Sequence, residues 1–221
     1  RWRARRTCRQ VDILHEGRSA QSIRNLGAPR NGPRVGEALA KVAATEVPAV
    51  NKIAIAFSGG LDTSYCVPRL AEAGWSVHTV YVNTGGTSRA GRDAIRKQAE
   101  AVGAVEHHEI DARQEVYDRF VCFLIQGNVL RGEVYPLSVA AERTQQALSL
   151  VQTARRIGAA AVAHGSTGAG NDQVRFDVAL RVLAPELQIV TPIRDEGVQR
   201  DRALAFLAAR GMPIPGKSGD Y

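Results

Sequence analysis

The chain predicts an α/β protein built on a doubly wound parallel sheet, preceded by a basic arm. Three observations carry this. From Lys52 onward, short runs rich in Val, Ile and Ala alternate with amphipathic stretches of helical length, most of them closed by a glycine. Two glycine- and hydroxyl-rich stretches, one after Phe57 and one after His164, each follow a strand-like run directly. Sheets of this class bind ligands beyond the carboxyl ends of their strands. The charge is also lopsided: residues 1–50 hold ten Lys/Arg against four Asp/Glu, so six of the seven net positive charges lie there.

Residues 1–50 are expected to be a disordered basic N-terminal arm, in which only Gly36 to Thr45 looks helical. Such an arm could meet nucleic-acid phosphates or be transit-like, but composition favours no function for it. Residues 51–221 then read as one domain. Lys52 to Phe57 is strand-like, and Thr63 to Ala73 is helical up to Gly74, with Pro68 expected to kink it or limit its first part. Ser76 to Val82 is a strand, and Arg89 to Val102 a helix stopped by Gly103. Val105 to Ile110 is a strand, followed by a helix from Ala112 to Gln126 with Val116, Phe120 and Phe123 as its buried stripe. Val139 to Ile157 is a long helix ended by Gly158. Ala159 to His164 and Leu187 to Ile193 are strands, and Gln199 to Ala209 is a helix ended by Gly211. Right-handed crossovers in such an alternation give a parallel sheet.

Composition excludes several classes. Hydrophobic content is 44%, ordinary for a globular chain, and no apolar run approaches the roughly 20 residues that span a bilayer. Cys8, Cys66 and Cys122 are odd in number and lack Cys-x-x-Cys spacing, which argues against a disulfide framework and fits a reducing cytoplasm. His107, His108 and His164 lack metal-ligand spacing, so satisfied or solvated histidines are expected and no metal site.

The chemistry is carried by two stretches. Ala56-Phe57-Ser58-Gly59-Gly60-Leu61-Asp62-Thr63-Ser64 reads as a strand end, a tight turn and a helix start. Free N–H groups at a positive helix end can hold phosphate, and adjacent glycines let backbone approach an anion. Asp62 is the odd member, an acid that would have to cap the helix or meet a metal. No Lys follows the glycines, so this is not the Walker pattern. In the second stretch, His164-Gly165-Ser166-Thr167-Gly168-Ala169-Gly170-Asn171-Asp172-Gln173-Val174-Arg175-Phe176, a helix starting near Asn171 would put Asp172 and Arg175 on one face.

The first stretch is similar to the S-G-G-x-D-[ST]-S loop of the ATP pyrophosphatases. The pair together resembles argininosuccinate synthase, whose motifs are A-[FY]-S-G-G-L-D-T-S and H-G-x-T-G-x-G-N-D-Q-V-R-F; the likeness runs from about Lys52 to Tyr221. It implies a five-stranded nucleotide-binding domain of the adenine nucleotide α-hydrolase (HUP-like) type. It also implies ligation of citrulline and aspartate through citrullyl-AMP, giving argininosuccinate, AMP and pyrophosphate, with ATP and its Mg2+.

The resemblance implies that Ala56 to Ser64, with Asn83 and Gly165, serve ATP. Thr167, Asn171 and Asp172 would hold aspartate, and Tyr135, Asn171 and Arg175 citrulline. Asp62, Asp172 and Arg143 would stand nearest the chemistry. Three departures mark the chain. Tyr135-Pro-Leu-Ser138-Val-Ala140-Ala-Glu-Arg143 has Ala140 where a Ser is usual, Asn83 stands in Val82-Asn83-Thr84-Gly85-Gly86 rather than the usual segment, and Ala169 replaces a frequent Lys.

Family members are usually about twice as long, so the chain is expected to be the nucleotide-binding half of a cytoplasmic homotetramer, inactive alone. Nucleic acid and membrane partners are not expected. The alternatives are a pyrophosphatase-loop enzyme that modifies tRNA and a non-catalytic remnant.

Overall fold

The computed structural model describes residues 51–128, 130–132, 135–136, 138–168 and 170–216, the side chains of 131, 135, 136, 138 and 139 excepted. The basic arm with its expected 36–45 helix, Ala169 and the tail from Lys217 lie outside these residues.

The chain enters the sheet at once with β1 (Lys52–Ala56), whose Ile53, Ala54 and Ile55 are fully buried. Helix α1 (Leu61–Glu72) follows, then β2 (Ser76–Asn83), α2 (Arg89–Ala101) and β3 (Glu106–Asp111). Ser88 caps α2 by accepting from the Gly91 N–H at 3.2 Å. Pro68 does not end α1: its helix is continuous to Glu72, and Gly74 with φ near 87° makes the turn.

The expected helix 112–126 is broken differently. Short α3 (Arg113–Val116) passes into a π-helical turn (Tyr117–Val121) and then α4 (Cys122–Gln126). A π turn holds one residue more than an α turn, so the residues after it rotate by roughly 100° from the α period. Val116 stays buried and Phe120 is half-buried, but Phe123 ends 53% exposed, which overturns the expected apolar stripe.

A two-stranded ribbon of β4 (Leu130–Arg131) and β5 (Tyr135–Pro136) precedes the long α5 (Ser138–Ile157). Strand β6 (Ala161–His164) is wholly buried. Helix α6 (Asp172–Leu183), β7 (Gln188–Val190), α7 (Pro192–Asp195) and α8 (Arg200–Ala208) complete the described chain. Strand β7 is shorter than expected because Pro192 opens α7, where its fixed φ suits a first helical turn.

The main sheet is five-stranded and entirely parallel, in the order β3-β2-β1-β6-β7. One face packs Ile53, Ile55, Val77 and Ala163 against Tyr65, Val67 and Leu70 of α1, Ala99 of α2 and Ala203 of α8. The other packs Ala54, Val80, Val82 and Val162 against Leu150, Val151 and Ala154 of α5 and Phe176 and Leu180 of α6. Strand order reverses between β1 and β6, a switch point of the kind that opens a crevice at the carboxyl ends of the strands. Two substitutions test where the core lies. Leu150→Ala, at a fully buried position, should cost about 2–5 kcal/mol in denaturant unfolding. Val182→Ala, on the 73% exposed face of α6, should stay within about 0.5 kcal/mol.

Candidate functional site

The loop after β1 is shaped by its own hydroxyls. Ser58 Oγ accepts from the Gly60 N–H at 3.3 Å and lies 3.3 Å from Thr63 Oγ1, while Thr63 Oγ1 donates to the Gly60 carbonyl at 3.1 Å. Gly59 takes φ near 76°, and a Cβ there would stand 3.0 Å from Ile95 Cγ1. Gly60 is the N-cap of α1 and offers no side chain, and the first helical bond runs from the Ser64 N–H to the Gly60 carbonyl. The N–H groups of Leu61, Asp62 and Thr63 are therefore left for an anion, at the positive end of the helix. Asp62 sits in this first turn and is not the cap. Its carboxyl accepts no hydrogen bond among the described residues; burial pushes its pKa up, partly offset by Arg200.

Strand pairing brings the second stretch alongside. Ala56 is in register with His164, so Gly165 emerges beside the start of α1. A Cβ on Gly165 would lie 3.1 Å from Thr63 Cγ2 and 3.3 Å from the Thr63 nitrogen, which leaves no comfortable room for a side chain. His164 is buried and anchors this strand end: its Nδ1 accepts from the Ser166 N–H at 3.4 Å, which assigns the proton to Nε2, 2.9 Å from Asp177 Oδ1. Burial lowers the His164 pKa against the pull of Asp177, so the ring is neutral at neutral pH. Arg194 Nη1 holds the other oxygen of Asp177 at 2.8 Å.

Helix α6 begins after Asn171, its N-cap residue, as the sequence suggests. Asp172 is clasped twice: Arg175 Nη1 donates to Oδ1 at 2.8 Å and Arg143 Nη2, from α5, to Oδ2 at 3.2 Å. Burial alone would push its carboxyl up, but the two guanidiniums outweigh that and hold it below the ordinary carboxylate range.

These elements enclose a cavity of about 400 Å³. Its floor is the first loop, from Ala56 to Thr63, and its far side carries Gly165, Asp172 and Arg143. Val80, Tyr81, Val82, Leu150 and Phe176 give it an apolar wall. Gln146, Ser166 and Arg200 also line it and were not anticipated; Arg200 opens α8, a first-turn position that no local motif marks.

Several anticipated residues lie off the cavity wall. Ser64 is fully buried and accepts from Gln98 Nε2 at 3.2 Å. Asn83 is buried at the end of β2, where its Oδ1 accepts from the Gly85 N–H at 3.0 Å. Thr167 and Asn171 are exposed on the second loop, and Arg175 reaches the site through Asp172. Tyr135 belongs to the β4–β5 ribbon, and its side chain and Ala169 fall outside the described residues.

The Asp172 clasp yields a pH test. A carboxyl whose folded pKa is depressed stabilises the fold fully above the ordinary value and loses that contribution as pH falls through the folded pKa. Asp172→Asn should therefore melt below wild type at about pH 7, and the gap should narrow as pH falls below the ordinary carboxylate value of about 4. Thermal unfolding across that pH range checks it.

The chain is similar to several known proteins. The arginosuccinate synthase N-terminal HUP domain matches residues 52–213. Argininosuccinate synthase of Rubrobacter xylanophilus is 42% identical over 164 residues, covering 74% of this chain and 40% of the relative. Those of Sulfolobus acidocaldarius and Listeria monocytogenes are each 40% identical, over 77% and 76% of this chain and 43% and 41% of their own lengths. The chain thus spans about two fifths of the length of these relatives. Among solved structures, NAD+ synthetase from Burkholderia pseudomallei aligns with a TM-score of 0.51 at 14% identity, over 78% of this chain and 71% of that one. A "predicted subunit of tRNA methyltransferase" from Methanocaldococcus jannaschii aligns at 0.50 and 15%, over 72% and 76%. Identities that low bear on the fold alone, whereas the family match over residues 52–213 covers both glycine-rich loops and every strand of the main sheet, and the chain belongs to the argininosuccinate synthase family through its N-terminal HUP domain.

Proposed function

We propose that this chain supplies the nucleotide-binding half of an argininosuccinate synthase. In that reaction the ureido oxygen of citrulline attacks the α-phosphorus of ATP and pyrophosphate leaves. The amine of aspartate then attacks the activated ureido carbon and AMP leaves. Little covalent work falls to the protein, which must position three substrates and stabilise charge.

The observation that supports this most is the joining of the uncapped first turn of α1 and the Arg143–Asp172 pair in one cavity. The phosphates belong at the Leu61, Asp62 and Thr63 N–H groups, with Ser58 and Thr63 hydroxyls beside them and Gly59 and Gly60 allowing close approach. The adenosine belongs against the apolar wall near Gly165. Asn83, off the cavity, would act by shaping the turn after β2.

Asp172 would receive the aspartate ammonium, with Thr167 and Asn171 at its carboxylates. Arg175, Asn171 and Tyr135 would take citrulline. Arg143 would hold Asp172 in place while its own charge faces the reacting centre. Asp62, a half-buried carboxylate with no hydrogen bond among the described residues, fits Mg2+ beside the phosphates; when bound, the ion would neutralise phosphate charge.

The matched region is about two fifths of the curated relatives, so the complete reaction is assigned to an assembly holding the remaining length, a cytoplasmic homotetramer in this proposal. Residues 1–50 are assigned to an extension outside the reaction. No helix among the described residues is long and apolar enough to cross a membrane.

Calorimetric titration of the chain with Mg-ATP tests the nucleotide half. Wild type should bind, and Ser58→Ala should weaken binding about tenfold or more, the worth of a hydroxyl bond to a charged group. Gly165→Val should abolish binding in a folded protein. A Gly165→Val variant that binds like wild type would remove the nucleotide from this cavity.

A further inference from the structure

Away from the cavity, near the opposite end of the strands, lies a second cluster of ligating side chains. His78 is the third residue of β2, and Glu106 and His108 are the first and third of β3. Register pairs His78 with Glu106 and Val80 with His108, and Val80 packs against α5, so alternation places all three on the α5 face. His78 Nδ1 is 3.4 Å from His108 Nε2, and Glu106 Oε2 is 3.5 Å from the first and 3.6 Å from the second. The rings lie within 8° of parallel with centroids 5.6 Å apart, so they meet edge to edge with their nitrogens converging.

We propose that His78, Glu106 and His108 form a three-ligand site for a zinc-class divalent cation that ties strand β2 to the edge strand β3. A tetrahedral zinc with ligand atoms about 2.0–2.1 Å away spaces those atoms by roughly 3.3 Å, close to all three separations here. Two imidazoles and one carboxylate select zinc-class ions over Mg2+ or Ca2+, which prefer oxygen shells. The histidines are 5% and 7% exposed, so the ligands on that side are fixed by packing. Glu106 is 58% exposed at its side chain and opens the fourth position to water. His78 Nε2, on the far side of the ring from the converging atoms, is buried with no hydrogen-bond partner among the described residues and carries the ring proton when Nδ1 holds an ion.

Two cations oppose the ion: Lys52, whose charge acts on His78, and Arg156 beside His108. Arg156 Nη2 lies 3.4 Å from His108 Nδ1. A cation on Nε2 places the ring proton on Nδ1, so the guanidinium must swing away, which its exposed position allows. Local spacing could not reveal the site, because His78 joins it across the strand pairing from 30 residues upstream.

The test uses the full chain, without a histidine tag and stripped of metal. Zn2+ is titrated by calorimetry, and Co2+ serves as a spectroscopic probe. One equivalent should bind, Co2+ should show four-coordinate absorption, and Zn2+ but not Mg2+ should raise the melting temperature. His78→Asn, His108→Asn and Glu106→Gln should each lose at least about tenfold in affinity. Glu106→Gln is at an exposed position, so it keeps the test valid should a histidine variant fail to fold. His107→Gln should bind as wild type, and Arg156→Gln should bind more tightly. No binding by folded wild type, or binding unchanged in Glu106→Gln and His108→Asn, would overturn the proposal.

Discussion

The approach of the end of β6 to the first turn of α1 is the constraint on which the site depends. Parallel pairing puts Ala56 level with His164, and the chain leaves both strands in the same direction with a helix still to place on each face. The two loops can share one cavity only if nothing projects between them. Gly165 meets that demand by having no Cβ, since one would press on Thr63 from 3.1 Å. The uncapped turn and the Asp172 clasp are neighbours for this reason, and neither loop alone makes the site.

Support for that seam comes from behind. His164 ties the turn at Ser166 to Asp177 on α6, and Arg194 on α7 holds Asp177 in turn. A neutral ring between a backbone N–H and a carboxylate has one tautomer and one orientation, so the strand end is pinned without placing a charge beside the loop. In front of the seam the charges alternate. Asp62 faces Arg200, and Asp172 lies between Arg143 and Arg175. Such a cavity suits ligands that carry both signs, because each group can exchange an internal partner for one on the ligand.

Much of this was legible in the chain. β-branched runs marked the central strands because those strands are buried on both faces, and the two glycine-rich stretches marked the switch point because close backbone approach requires glycine. What stayed hidden depends on contacts between distant segments. Arg200 and Gln146 reach the cavity from α8 and α5, with no motif around them. The register of β2 against β3 gathers His78 with His108, while spacing along the chain shows only His107 and His108 side by side. The π turn at Tyr117–Val121 turned Phe123 outward, since helical periodicity assumes a constant number of residues per turn. Pro192 shortened the last strand by starting a helix.

The pairing of Ile53 with Ala161 also bears on how the molecule assembles. Strand β2 pairs with β1 across a single crossover, but β6 must find β1 across more than a hundred intervening residues. Closing so long a loop costs entropy before any contact repays it, and contacts of high sequence separation slow folding. On synthesis from the N-terminus, β1, β2 and β3 can associate while the second loop has yet to be made. The cavity therefore exists only once β6 has joined β1, and a ligand held there favours the fully closed sheet over every partly assembled one.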